Sequence, residues 1–245
     1  MKRINVLIIG SAPDALTAKE WSNPPFDHII AINNAWRIRS DWTNCIFPED
    51  FPVQKQPKAT KRQTLHSAEE YVPAQNYFGG FVYAGGTMAF TAGYWALYKF
   101  KPDLIGYIGC DMIYQGSRTH FYGRGRADPL REDKTLINLP AKSTRLEVIA
   151  LTRGCSIVNF SLLPSSNLSF PRQKIADLYK DKKPSTREIR RDKIEMALSR
   201  ESDLGYFIED GRYWKKMSLF NSAELERLDK IWLSTVSSKT KEPNS

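Results

Sequence analysis

Five short apolar runs constrain this chain more than any other feature: INVLII at 4–9, HIIAIN at 28–33, TNCIF at 43–47, LIGYIG at 104–109 and SIVNF at 156–160. They are rich in β-branched residues and nearly continuous in apolar character, the pattern of strands covered on both faces by helices in a parallel sheet. Helical stretches separate them. After the first run, Gly10 ends the strand, Ser11 or Asp14 can cap a helix, and Pro13 suits its first turn. Residues 87–100 contain few breakers besides Gly93, and Lys142–Arg153 places Leu146, Ile149 and Ala150 on one face. Strand, helix and strand alternate through residue 160, which predicts an α/β fold with a doubly wound, mostly parallel sheet of about five or six strands.

Two regions depart from that alternation. Residues 52–80 are polar, carry Pro52, Pro57, Pro73 and Gly79-Gly80, and read as an excursion or lid with a short helix around Ser67–Tyr71. From Gln173 the texture becomes charged, which divides the chain into 1–172 and a C-terminal appendage at 173–245. In the appendage the stretch KDKKPSTREIRRDKIEMALSR reads as a helix capped by Ser185 or Thr186. YFIEDGRYWKKM reads as a hairpin around Asp210-Gly211, and FNSAELERLDKIWLS as an amphipathic helix capped by Asn221 or Ser222.

Composition bounds the function classes. No apolar run approaches the roughly 20 residues of a membrane-spanning helix, and the VLIIG of the N-terminus is too short for a signal peptide. Cys45, Cys110 and Cys155 are far apart and lack CxxC spacing, so neither a disulfide framework nor a zinc site is indicated, and a reducing cytoplasm fits. The formal charge of +9 favours anionic partners: nucleotides, nucleic acid or anionic glycolipid surfaces. The basic excess is spread over both parts of the chain, which argues against a nucleic-acid-binding arm.

Ligands of open α/β sheets gather beyond the carboxyl ends of the strands. The residues there are Gly10-Ser11-Ala12-Pro13, Asn33-Asn34, Pro48-Glu49-Asp50, Gly109-Cys110-Asp111 and Asn159 to Ser161. The first loop either brings backbone amides to a phosphate or is an ordinary turn; it matches neither GxGxxG nor GxxxxGK[ST]. Asn33 and Asn34 offer amides to a base edge or sugar hydroxyls, or cap a helix. Gly85 and Gly86 clear side chains from the start of a helix, and Thr87 adds a hydroxyl or a cap. Asp111 suits a ribose, a sugar, a metal or loop amides, and Glu49-Asp50 is a second carboxylate pair for acid/base work or a divalent cation. The loop YQGSRTHFYGRGR at 114–126 gathers Tyr114, Arg118, His120, Tyr122, Arg124 and Arg126, phenols and guanidinium groups able to balance phosphate charge. His120 is the candidate general base, the role histidine takes most often.

The order IIGSAP at 8–13, INNA at 32–35, GGTMAFTAGYWAL at 85–97, IGCDMIYQGS at 108–117 and SIVNFS at 156–161 resembles that of bacterial CMP-sialic acid-dependent sialyltransferases with a single Rossmann-like domain. It is also similar to the wider group holding motility-accessory-factor glycosyltransferases and hydroxymethylpterin diphosphokinase-like proteins. The resemblance spans residues 4–170 and implies a glycosyltransferase that modifies a surface glycan or glycolipid acceptor from a nucleotide-activated, CMP-linked sugar. The implied setting is the cytoplasm or the inner membrane surface, in contact with anionic lipid, with the oligomeric state open. No metal or further cofactor is implied for that reaction. Gly10, Ser11, Asn33 and Asn34 would border the nucleotide; Gly85, Gly86 and Thr87 would lie along its phosphate and sugar; Tyr114 and Tyr122 would bind the departing phosphate. The chain departs from the pattern in two places. Its first loop lacks the Gly-Asn-Gly-Pro-Ser character of that family, and LPAKSTR at 139–145 stands where the family carries its basic histidine, which leaves His120 or another group to act as base. The alternative chemistries are magnesium-dependent pyrophosphoryl transfer from ATP, leaning on Asp50 and Asp111, and non-catalytic nucleotide or glycan binding.

Overall fold

The computed structural model describes residues 3–113, 119–123 and 133–241. Its centre is a six-stranded parallel sheet in the order β4-β3-β2-β1-β5-β6, with β1 at Asn5–Ile9, β2 at His28–Ile32, β3 at Asn44–Ile46, β4 at Thr64–His66, β5 at Leu104–Ile108 and β6 at Ser156–Asn159. The expected α/β class and parallel sheet are both present. Strand β1 is central, pairing Ile9 with Ala31 on one side and with Ile108 on the other.

The unbroken apolar character of β1 follows from its two covered faces. Val6 and Ile8 enter one core with Ile30, Ile105 and Trp95, whereas Leu7 and Ile9 enter the other with Ile29, Ala31 and Trp42. All four are sealed from solvent, and each contributes on the order of 2 kcal/mol of apolar burial. Helix α1 (Ala68–Tyr77), the short α2 (Phe81–Ala84), α3 (Met88–Phe100) and α4 (Leu139–Leu151) contribute to the first core. The second is closed largely by the 3₁₀ helices at Pro13–Glu20 and Asn33–Arg37.

The stretch 52–80, read from sequence as an excursion, supplies both β4 and α1. Strand β4 is three residues long and pairs only with β3, and its Thr64 is exposed, so no apolar periodicity marks it. Helix α1 starts at a capping box in which Glu70 accepts from the Ser67 amide at 2.8 Å.

The C-terminal part differs more from its sequence reading. The stretch expected to be wholly helical divides into β7 (Thr186–Ile189) and α6 (Arg191–Leu204), with a short α5 (Ile175–Tyr179) before them. Asp210-Gly211 forms a turn into a 3₁₀ segment at Tyr213–Leu219, and the two-stranded antiparallel sheet pairs β7 with β8 (Val236–Lys241). Helix α7 (Ser222–Leu233) is capped as expected: Asn221 Oδ1 accepts from the amides of Ala223 at 3.0 Å and Glu224 at 3.3 Å. Ile194, Ala197, Tyr213, Phe220, Leu225, Leu228 and Trp232 belong to the same continuous core as Val6 and Ile8.

Helix α4 joins the two parts through buried charge. Arg145 makes a two-pronged pair with Glu201, Nε to Oε1 and Nη2 to Oε2 both at 2.7 Å, and also donates to Tyr94 Oη at 2.7 Å and the Phe78 carbonyl at 2.6 Å. Trp232 Nε1 donates to Glu201 at 2.8 Å, Lys142 pairs with Asp229 at 2.8 Å, and Arg187 pairs with Glu147. Burial opposes the charge on Arg145, but Glu201 and Tyr94 outweigh it and hold the guanidinium ionised. The residues LPAKSTR are therefore a structural hub facing α6 and α7.

Candidate active site

The strand order reverses at β1: the chain builds outward through β2, β3 and β4, then returns to lay β5 on the other side of β1. This makes the crevice beyond β1 and β5 the topological switch point, the place where open α/β sheets hold ligands. Two glycines let the strand ends close there. A Cβ on Gly10 would stand 2.2 Å from the Gly109 carbonyl oxygen and 2.5 Å from Cys110 Sγ; Gly109 has φ +69°, and a Cβ on it would stand 2.4 Å from Ala15 Cβ. The amides of Gly10 and Ala12 are engaged with Ile108 O at 2.8 Å and Gly109 O at 2.9 Å, and Pro13 has no amide hydrogen. The first loop thus spends two of its donors locking β1 to β5.

Ser11 points to the next element. Its Oγ lies 2.8 Å from Nδ1 of His120, and its carbonyl accepts from the Phe121 amide at 2.8 Å. A tight turn holds the histidine: the backbones of His120 and Gly123 exchange two hydrogen bonds at 2.9 and 3.0 Å. The imidazole lies parallel to the Tyr122 ring, centroids 4.9 Å apart. Residues 109 positions apart in sequence are thereby joined at the switch point.

Beside them lie two carboxylates. Asp111, three residues beyond the end of β5, is fully buried; its Oδ1 accepts from Asn159 Nδ2 at 3.2 Å, while its Oδ2 has no hydrogen-bond partner. Asn159 is oriented in turn by the Ser161 amide, which donates to its Oδ1 at 2.9 Å. Asp14, in the first turn after β1, has both oxygens shielded from solvent and neither in a hydrogen bond. Burial raises its pKa above the ordinary carboxylate value. The Ser161 hydroxyl and the Leu162 amide oppose the shift without closing a hydrogen bond, and the nearby charge of Asp111 adds to it. Burial also drives the Cys110 thiol well up, with Asp111 and Asp14 reinforcing it, so that sulfur is an inert packing group.

The remaining sequence candidates separate into four groups. Asn33 and Asn34 follow β2, next to β1; Asn33 sits at φ +52° with its Oδ1 buried and unpartnered, and Asn34 is buried. Glu49 and Asp50 are exposed beyond β3, with Glu49 facing Arg212 at 3.3 Å. Gly85, Gly86 and Thr87 precede α3, where Thr87 Oγ1 accepts from the Phe90 amide at 3.4 Å as a cap. The space that Gly86 clears is filled by the C-terminal part of the chain. A Cβ there would stand 1.7 Å from Tyr213 Oη, and this buried phenol donates to Asp133 Oδ2 at 2.7 Å. The Gly86 amide donates to Thr135 Oγ1 at 3.1 Å, which itself donates to Asp133 at 2.7 Å. Tyr114 and Arg118, with Arg124 and Arg126, lie outside the described residues.

Sequence reasoning missed Asp14 as a site residue because an acid in a first turn is commonplace at helix starts; only its place after the central strand distinguishes it. Tyr213 and Asp133 carried no signal at all. Among the described residues no group of three or more His, Cys, Asp or Glu side chains is arranged for a metal, and no helix is long and apolar enough to cross a membrane. The crevice combines a positioned imidazole, hydroxyls, and carboxylate oxygens awaiting donors, a set suited to proton transfer and to binding a ligand through its hydroxyl groups. Comparison of the chain with family models, curated proteins and solved structures returned no match.

Proposed function

We propose that the protein is a glycosyltransferase that binds a nucleotide-activated sugar, CMP-linked in the first instance, in the crevice beyond β1 and β5. One observation carries the reading: unpaired oxygens of Asp14 and Asp111 lie at the switch point with the Ser11–His120 pair. A buried oxygen without a donor costs stability unless a ligand supplies the hydrogen, and sugar and ribose hydroxyls are donors of the right kind. The acceptor hydroxyl attacks the anomeric carbon and the bond to the nucleotide phosphate breaks. His120 takes the hydroxyl proton, with Ser11 fixing the ring. Asp111 and Asn33 accept hydrogen bonds from the donor. The acceptor is a surface glycan or glycolipid. No metal enters this mechanism.

The paired carboxylates favour a second reading, pyrophosphoryl transfer from ATP, in which Asp14 and Asp111 would hold magnesium. Calorimetric titration with CMP, CDP, UDP, GDP and ATP, each with and without magnesium, separates the two. Metal-independent CMP binding, weakened about tenfold or more by Asp111→Asn, is expected from the loss of a charged acceptor. Release of sugar from a CMP-linked donor should fall at least a hundredfold in His120→Asn, the scale of a lost general base. Binding confined to ATP with magnesium would replace the first reading by the second, and binding of no nucleotide would sink both.

A further inference from the structure

The mechanism above gives Asp111 and Asn33 hydrogen bonds from the donor and assigns Asp14 no partner. Asp14 is half-buried in the first turn after β1, yet both of its oxygens are shielded from solvent and neither accepts a hydrogen bond. A shielded carboxylate left unanswered costs stability. The polar groups around it are spent elsewhere. Thr17 turns its hydroxyl to the Asp14 carbonyl at 2.8 Å and not to the carboxylate. Arg172, in the loop that carries Ser161, uses its Nη1 on the carbonyls of Ser161 at 2.6 Å and Leu163 at 2.8 Å. Among the described residues no lysine or arginine pairs with Asp14.

Asp111 narrows what can fill that place. Its fully buried carboxylate keeps Oδ2 open, and its charge reaches Asp14. The shielded side-chain atoms left without a partner beyond β1, β2 and β5 are all oxygens: both of Asp14, Oδ2 of Asp111 and Oδ1 of Asn33. The unpartnered nitrogens of the described residues, His66 Nδ1 and Gln75 Nε2, belong instead to the edge strand β4 and to α1. A phosphate or carboxylate would bring only acceptors beside Asp14 and would be repelled by both aspartates. A hydroxyl brings one hydrogen and no charge. A primary ammonium brings three hydrogens and the charge that answers a carboxylate.

We propose that Asp14 binds a primary ammonium group of the substrate, so that the activated sugar taken in this crevice is an amino sugar and not an acidic one. Asp111 assists through its negative charge, which favours a cation beside Asp14, while its open oxygen takes a hydroxyl of the same ligand. The assignment departs from the acidic sugar that a sialyltransferase would transfer. That the amine belongs to a sugar rests on the glycosyltransferase reading; that Asp14 binds an amine does not.

The test uses three sugars that share one ring and differ in charge: glucosamine, glucose and glucuronate. Each is titrated into the full chain at constant ionic strength and followed by ligand-observed NMR, with CMP titrated calorimetrically into the same preparation. Glucosamine should bind about tenfold or more tightly than glucose, the gain of a charge-assisted hydrogen bond over a neutral one, and glucuronate should not bind. Asp14→Asn, checked for folding by circular dichroism, should abolish the preference for glucosamine. Glu195→Gln, which removes an exposed charge from α6, should leave it intact. Equal binding of glucose and glucosamine, binding of glucuronate, binding of none of the three, or a preference that survives Asp14→Asn would overturn the proposal. So would displacement of glucosamine by magnesium at equal concentration, which would make the two aspartates a metal site. A glucosamine preference without CMP binding would remove the nucleotide reading and keep the amine site; CMP binding without the preference would do the reverse.

Discussion

The crevice beyond β1 and the interface of α4 with α6 and α7 both bury charge, and they treat it oppositely. At the interface each charged group is answered: Arg145 by Glu201, Tyr94 and a carbonyl, and Lys142 by Asp229, while Glu147 of the same helix is answered by Arg187 of β7. Burial pushes the Asp229 and Glu147 carboxyls up, and their cationic partners pull them back. At the crevice, Asp14 has no hydrogen bond and Asp111 leaves one oxygen open. Closed networks fix how two parts of a chain sit together, whereas open acceptors in a crevice leave binding capacity unspent. The difference marks which buried charges serve the fold and which serve a ligand.

The largest test of that contrast is at the interface. Arg145→Met should destabilise by roughly 3–5 kcal/mol, because Glu201 is left buried without its cation. Adding Glu201→Gln should recover part of the loss, measured by urea denaturation as a double-mutant cycle. A single variant within about 0.5 kcal/mol of wild type would mean that the pair is not closed in solution.

A smaller loss is expected where the C-terminal part fills the space above Gly86. Gly86→Ala forces Tyr213 out of its place and should cost about 1–3 kcal/mol. In a Tyr213→Ala background the same change should cost little, since the obstructing phenol is gone. Additive losses would break the inferred contact.

The smallest effect, and the one of opposite sign, belongs to the crevice. With its folded pKa raised, Asp14 binds its proton more tightly in the folded than in the unfolded state. Its contribution is therefore most favourable at low pH and is lost as pH rises from the ordinary carboxylate value through the raised one. Asp14→Asn should flatten the pH profile of the melting temperature in that window and leave the protein at least as stable at neutral pH, while weakening whatever the crevice binds. A melting temperature lowered at neutral pH would place Asp14 with the structural charges instead.

The sheet was legible because its signal is local: a strand covered on both faces needs a run of apolar β-branched residues, and β1, β2, β5 and β6 are such runs. Strand β4 was not, since a three-residue edge strand with one neighbour needs no such run. The C-terminal part misled for a related reason. Its charged residues at 186–189 read as helix by composition, but they form β7 because β8, nearly fifty residues later, offers them a partner. At the site, Gly10, Ser11, Asp111 and His120 could be named from their positions after strands and in a polar loop. That Ser11 meets His120, and that Tyr213 rather than open space lies over Gly86, depends on contacts made across more than a hundred residues. Local patterns do not encode such contacts.

The placement of β1 sets the order in which the molecule can be made. Its partner β2 is synthesised soon after it, but its other neighbour, pairing Asn5 with Leu104, emerges nearly a hundred residues later. Until then the most apolar strand of the sheet is an open edge, with unpaired amides and carbonyls along Asn5–Ile9. Such an edge is a template for pairing with other chains. Residues 64–100, which supply β4, α1 and α3, come off the ribosome within that interval. Helix α3 can therefore cover one face of β1 before its edge is closed, and the nascent chain is most in need of a chaperone just before β5 arrives.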